Sequence, residues 1–356
     1  MEKKLNWLKQ ISEVAGISGF ETPVKQLLID KLAHQYEVNY DKLGSVIFSG
    51  KEQKELKVML AAHMDEVGFM VKTITKEGFL KFVTIGGWWE QILLGQRVDV
   101  LTSNGVIPGV IGSKPPHILS PDERKKLVQK ADMYIDIGAT DDQQAPDVFG
   151  VKQGGAVVPY SKFTVMANDK MLLGKAWDDR IGCAIMAEVM ENIALKNTAA
   201  TVYGVGTVQE EVGLRGAQTS VKVIDPDIAF IIDTCVAGDV PGVTEDKAAG
   251  KLGRGIGITI YDASMIPHIK LRDYVINIAE KYKIPYQLVF SEGGGTDAGR
   301  IHLNSVGVPS IVLSIPTRYI HSHNGIIHLD DYNAGVSLLT KILEDFDKDC
   351  YKELLK

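Results

Sequence analysis

The sequence predicts an α/β protein with a β-rich domain inserted into it. Two observations carry this. Helix-spaced and strand-like apolar runs alternate before residue 67 and again from about residue 166. Between them lie short β-like runs broken by Gly, Asn-Gly and Pro, with no long helical pattern. The length of 356 residues suits two domains. The division is a split α/β domain, residues 1–66 and 166–356, and an insertion, residues 67–165.

Element by element, Leu5, Leu8, Ile11, Val14 and Ala15 have helical spacing, and after the Gly16–Gly19 turn Pro23, Val24, Leu27, Leu28 and Leu32 predict a second helix. Val46–Phe48 reads as a short strand. Leu56–Ala62 is an apolar run suited to a strand buried on both faces. In the insertion, Gly68–Ile74, Phe79–Thr84, Arg97–Leu101 and Gly105–Ile111 read as strands, with one short turn near Pro121–Gln129. Beyond it the pattern predicts a helix over Gly182–Leu195, strands at Thr201–Thr207 and Ile228–Ile232, and a helix at Leu271–Tyr282. Strands at Gln287–Phe290 and Ser310–Ser314 and an amphipathic helix at Asp331–Phe346 complete it.

Composition narrows the function. A net charge of −6 disfavours a protein that tracks nucleic-acid phosphates. No stretch approaches 18 consecutive apolar residues, so no membrane span is expected. The N-terminus has no signal-like apolar run, and Cys183, Cys235 and Cys350 imply no disulfide framework. A cytoplasmic location is the resulting expectation. Thirty-five glycines, roughly a tenth of the chain against a usual ~7%, imply many tight turns and close backbone approaches.

In open α/β sheets ligands bind beyond the carboxyl ends of the strands. The polar residues there are His63 and Asp65 after the first buried strand, and Glu210 and Glu211 after Thr207. Asp233 follows Ile232, and His321 lies a few residues past Ser314. Asp178 and Asp179 stand in the turn before the Gly182 helix. Singly, each has a bland reading as a cap, a surface charge or a structural histidine. Together, several like charges on one rim repel unless a cation sits among them. Mixed His and carboxylate ligands suit Zn²⁺, Co²⁺ or Mn²⁺, and such a set can serve two metals if one carboxylate bridges. In a Glu-Glu pair one member can bind metal while its neighbour serves as general base.

At this point the chain resembles the dinuclear metallo-aminopeptidases that include glutamyl aminopeptidase, deblocking aminopeptidase and the tetrahedral twelve-subunit (TET) aminopeptidases, some of whose members are labelled endoglucanases. The matching segments are AAHMDEVGFMV (61–71), GVIGSKPPH (109–117), GKAWDDRIGC (174–183), VQEEVGLRGA (208–217), IIDT (231–234), GGGTDAG (293–299) and PTRYIHS (316–322), in order along most of the chain. The resemblance implies a three-layer αβα catalytic domain with a mixed sheet and an inserted β-barrel-like domain that supports oligomers, from dimer to dodecamer. It implies His63, Asp178 and Asp233 on one metal, Asp178 bridging to a second, and Glu211 and His321 completing that second site. Glu210 resembles the general base, and Asp65 would orient the outer nitrogen of His63. The Asp178–Asp179 peptide bond is cis in relatives.

Several points stay open on the sequence. Many members follow His-Ser with Pro-Val-Glu, whereas this chain continues His323-Asn324-Gly325-Ile326, so His323 is an alternative ligand to His321. Arg254 is a candidate cation for an acidic substrate side chain, or a surface charge. His117 either reaches a neighbouring subunit's site or belongs to a structural loop. Trp88-Trp89 suits an interface or burial in the insertion. Arg180 ties the metal loop to nearby carboxylates, or lies on the surface.

The reaction implied is hydrolysis of the first peptide bond of substrates with a free N-terminus. The competing readings are a non-peptidase metal-dependent hydrolase, such as a deacylase or an endoglucanase-labelled relative, and a binding protein. A glycosidase needs two carboxylates and no metal, which leaves the histidines idle. A binding protein would lack a ligand or the base, and none is missing.

Overall fold

The structure, a computed structural model, describes residues 2–356. Helices α1 (Glu2–Glu13) and α2 (Thr22–Leu32) precede strands β1 (Glu37–Tyr40), β2 (Val46–Ser49) and β3 (Lys57–His63). The chain then leaves the α/β layer for β4 (Gly68–Ile74), β5 (Leu80–Ile85), β6 (Arg97–Thr102), β7 (Gly105–Gly112), β8 (Tyr134–Asp136), a one-turn α3 (Gln144–Asp147) and β9 (Ala156–Pro159). It returns through β10 (Thr164–Val165), β11 (Met171–Gly174), α4 (Trp177–Ile193), β12 (Thr201–Thr207), α5 (Arg215–Ile224) and β13 (Ile228–Val236). Then come β14 (Ile256–Asp262), α6 (Ile269–Lys281), β15 (Tyr286–Ser291), α7 (Ala298–Ile301), β16 (Ser310–Thr317), β17 (Gly325–His328), α8 (Leu329–Asp345) and α9 (Lys348–Leu355).

Eight strands form a mixed sheet in the order β1-β2-β12-β3-β13-β16-β14-β15, with β12, β3, β13 and β16 parallel at its centre. These central strands are buried on both faces, which is why they read as unbroken apolar runs. Alternate residues serve the two layers. Val58, Leu60, Phe230, Ile232 and Leu313 face the core shared with α1, α2, α4, α6 and α8. Met59, Ala61, Ile231 and Val312 face the smaller core under α5 and α7. The fold class is therefore an α/β sandwich around a mixed sheet.

The insertion is a closed six-stranded barrel, β4-β5-β8-β7-β6-β9, filled by Phe69, Val71, Phe82, Val98, Val100, Ile111 and Ile135. The stretch near Pro121–Gln129, expected as one short turn, sits among three 3-10 turns at Pro116–Ile118, Glu123–Lys125 and Lys130–Asp132. Among the described residues no helix is long and apolar enough to cross a membrane.

Several elements of the structure are masked in the sequence. Strand β14 is hidden because it follows Gly253 and Gly255, contains Gly257 and has a bulge at Thr259/Tyr261. Helix α5 begins right after Gly213 and carries Gly216, both helix-breaking signals. It tolerates Gly216 because a Cβ there would lie 2.5 Å from the Val208 carbonyl oxygen.

A buried ion group ties the root of the barrel to the sheet. Arg180, fully buried in α4, donates to the carbonyls of Ile11, Val14, Gly16 and Met64 and to Glu66 Oε1 at 3.3 Å. Lys175 holds the same Glu66 at 2.6 Å. Arg180 thus fixes α4 against α1 and against the strand exit that carries His63. Arg180→Met should cost about 3 kcal/mol or more, because several buried acceptors lose their donor at once. Denaturant unfolding of the metal-free variant against the parent measures it, and a loss below about 1 kcal/mol would deny the latch.

Candidate metal centre

Strand register sets the site. Thr207 pairs with His63 across β12 and β3, and Ile231 pairs with Ala61 across β13 and β3, so His63 and Asp233 leave the sheet at the same level. His63 is buried. Its Nδ1 lies 3.0 Å from the Asp65 carbonyl oxygen and 3.6 Å from the Asp65 carboxylate. The main-chain carbonyl is thus the close partner of the outer nitrogen, leaving Nε2 to face the site. The Asp65 carboxylate instead accepts from Ser18 Oγ at 2.6 Å and from the backbone N–H groups of Glu210 and Glu211 at 3.0 and 3.1 Å. It holds the Glu-Glu turn rather than the imidazole alone.

The Asp178–Asp179 peptide bond is cis. Asp178 Oδ1 lies 3.1 Å from His63 Nε2, and Asp178 Oδ2 lies 3.0 Å from His321 Nε2. One carboxylate therefore faces both histidines. His321 Nε2 also stands 3.3 Å from Glu211 Oε1. Glu210 Oε2 and Asp233 Oδ1 each lie 4.0 Å from His63 Nε2. Two groups have ligand atoms within 4.8 Å of one another: His63, Asp178 and Glu211, and His63, Glu210 and Asp233. Asp179 points away from this cluster, accepting from the His63 N–H at 3.2 Å and the Gly182 N–H at 3.0 Å. Backbone strain gathers beside the cluster: Ala176, Gln209, Leu214, Tyr319 and His321 all adopt φ between +54° and +58°.

The electrostatics describe crowded acids short of water. Burial, reinforced by neighbouring carboxylates, lifts Glu210 and Asp233 well above the usual carboxylate range and raises Glu211. Burial alone would lower His63, but Glu210, Asp178 and Asp65 outweigh it and hold its pKa well up. Burial opposes His321 likewise, and Asp178 and Glu211 raise it to about 11. Asp178 is the exception: burial disfavours its charge, yet the two histidines hold its pKa down. Glu211 Oε1 is buried without a well-formed hydrogen bond. An oxygen-and-imidazole set of this kind, with an orphaned carboxylate oxygen, fits divalent cations of the Zn²⁺, Co²⁺ or Mn²⁺ type.

The cluster lines one side of a cavity of about 620 Å³. Its far walls come from Lys247, Asp262 and Glu292 and from the backbone of Gly293, Gly294 and Gly295. Two candidates are not brought into it. Arg254 is exposed and does not line the cavity, where Lys247 is the only lysine or arginine among the described residues, and His117 is exposed in the Pro116–Ile118 turn of the barrel. His323 is likewise away from the cluster, buried with its ring 5.4 Å from Trp88 and 6.2 Å from Phe69.

The structure adds residues the sequence reading passed over. Asp297 is buried and accepts from Thr207 Oγ1 at 2.5 Å, and burial lifts it to about 6. Its place in the GGGTDAG segment was the available signal. Gly86 and Gly87, from the barrel, press on the cluster: a Cβ would lie 3.1 Å from Glu211 Oε2 at the first and 3.2 Å from His321 Nδ1 at the second. The barrel therefore contributes to the site wall, which no spacing rule could show.

The chain is similar to known proteins along most of its length. The profile of the M42 glutamyl aminopeptidase family matches residues 44–338. Glutamyl aminopeptidase of Lactococcus lactis is 34% identical over 351 residues, covering 98% of both chains. Lysyl aminopeptidase of Pyrococcus furiosus is 35% identical over 347 residues, covering 95% of this chain and 96% of its own. The crystal structure of a TET aminopeptidase from a marine sediment Thaumarchaeota archaeon superposes with a TM-score of 0.96 at 47% identity, covering 99% of each chain.

A pH test follows from the shifts. Groups whose pKa is higher folded than unfolded stabilise the fold below their unfolded values and lose that stabilisation as pH rises through the folded ones. Glu210, Glu211, Asp233, His63 and His321 all shift this way. The depressed Asp178 and Asp65 act only below the carboxylate range, outside the neutral window. Cations replace those protons when bound. The melting-temperature gap between metal-loaded and metal-free protein should therefore widen from about pH 5.5 to about pH 8. A gap that is flat or narrows would contradict the charge account.

Proposed function

The chain belongs to the M42 glutamyl aminopeptidase family and is an aminopeptidase; from that premise we propose that this cluster holds two divalent cations and that Glu210 moves the proton in peptide hydrolysis. The observation that carries the proposal is the two-sided reach of Asp178 to His63 and His321. His63, Asp178 and Asp233 would hold one cation, and Asp178, Glu211 and His321 the other. When bound, the pair supplies Lewis acidity that polarises the scissile carbonyl and makes water a competent nucleophile at neutral pH.

The residues of the chain do the rest. The Asp65 carboxylate fixes the Glu210-Glu211 turn, so that the two neighbours take different jobs. Glu210 takes a proton from the attacking water and returns it to the amine nitrogen as the C–N bond breaks. Its burial among acids suits a group that must bind a proton and then release it. The carboxylates on the cavity wall complement the substrate's α-ammonium.

One observation favours a second role for Glu210: it groups with His63 and Asp233 as a ligand would. Glu210→Gln separates the two. As base, the variant keeps two metals by elemental analysis and loses about 10²- to 10⁴-fold in kcat. Retention of only one metal would make Glu210 a ligand, and near-parental turnover would remove it from the chemistry.

Which N-terminal residue is preferred turns on the cavity wall, since relatives of nearly equal similarity are named for glutamyl and lysyl substrates. We assign the pocket cation to Lys247. Lys247→Ala should lower the glutamyl-to-leucyl ratio of kcat/KM, whereas Arg254→Ala should leave that ratio unchanged. A ratio insensitive to Lys247 would refute the assignment.

A further inference from the structure

Two hollows meet at the candidate metal centre. The cavity described above lies to one side of His321. A second cleft, of about 560 Å³, runs between the barrel and the loop after β16, and Gly87, Ile320 and His321 line both. Their chemistry differs. Asp178, Glu210, Glu211 and Asp233 line the first only. Among the described residues, the second carries no Asp, Glu, Lys or Arg on its walls.

The cleft is aromatic where it opens. Trp89 on the barrel side is 68% exposed and Tyr319 on the opposite side is 58% exposed. Neighbouring Trp88 is used differently: it stacks on Phe69 at 4.8 Å and donates its indole N–H to the Gly68 carbonyl at 3.1 Å. Packing of Trp88 against the barrel core thus explains one member of the Trp pair, while Trp89 stays mostly exposed. His323 lies beneath, its two ring nitrogens buried without partners.

A peptide bond held at the metal centre has an amine side and a leaving side. The α-ammonium of the first residue is a cation and belongs in the cavity that holds the carboxylates. The remainder of the peptide needs a path that starts at the same His321 and Gly87, and the uncharged cleft is such a path. We propose that this cleft binds the residue following the scissile bond, and that Trp89 and Tyr319 select an apolar or aromatic side chain there. The inference rests on the aminopeptidase reading above and extends it from the first residue to the second. Contacts with a remote side chain speed a reaction when their binding energy is expressed in the transition state, and an aromatic wall offers area at low entropic cost.

The test uses metal-loaded, full-length protein and substrates that share one well-cleaved first residue, followed by glycinamide or phenylalaninamide. The parent should show kcat/KM about tenfold or more higher for phenylalanine than for glycine at the second position. Trp89→Ala should bring the ratio close to one, and Trp89→Phe should largely restore it. Tyr319→Ser, on the opposite wall, should lower the ratio independently, which keeps the test open if Trp89→Ala does not fold. A parental ratio near one would overturn the inference, as would a ratio that both wall variants leave intact. Loss of both substrates in equal proportion would assign the walls to structure. A change of mass by light scattering with the ratio unmoved would assign the cleft to a second copy of the chain. Failure of the parent to cleave either substrate would instead strike the aminopeptidase reading, and this inference with it.

Discussion

Everything at this site depends on the repulsion among buried carboxylates. Asp178, Glu210, Glu211 and Asp233, with side chains no more than 12% exposed, crowd around two imidazoles at one end of the sheet. Without cations the cluster can exist only by holding protons, which is what the raised pKa values of Glu210, Glu211 and Asp233 express. On the proposed function, divalent cations would resolve the same repulsion and convert it into reactivity. The cost of assembling the acids and the capacity to activate water would then have one physical origin.

The fold keeps this unfavourable arrangement in place by rigid means. Parallel pairing of β12, β3 and β13 brings His63, Asp233 and the Glu-Glu turn to one level. Asp179 and Asp65, both fully buried, spend their oxygens on backbone N–H groups and, for Asp65, on the Ser18 hydroxyl rather than on the cavity. Arg180 locks α4, which carries Asp178, to the end of α1 and to the root of the barrel through five acceptors. Left-handed residues beside the ligands show that the turns are held by their surroundings and not by local preference. The barrel belongs to the same scheme, since a Cβ on Gly86 or Gly87 would crowd Glu211 or His321.

Much of this was legible in the sequence because it follows from short-range pattern. Doubly buried strands read as apolar runs, and the residues after them fall at the sheet rim, so His63, Glu210, Glu211 and Asp233 could be collected by position alone. The β-rich insertion announced itself by turns and the lack of helical spacing. The illegible parts depend on long-range approach. Nothing local tells that Gly87 meets His321, that Asp297 sits under Thr207, or that Lys247 rather than Arg254 reaches the cavity. His321 and His323, two residues apart, differ in fate because His321 takes a left-handed backbone and turns to Asp178, while His323 packs against Trp88. Strand β14 and helix α5 went unread because glycines that serve packing look locally like breaks.

The most direct test of the central claim is an anomalous-difference map from crystals of the protein loaded with a divalent transition metal. The account predicts two peaks within the cluster, one beside His63 and Asp233, the other beside Glu211 and His321, with the Asp178 carboxylate between them. A single peak, or peaks away from Asp178, would contradict it.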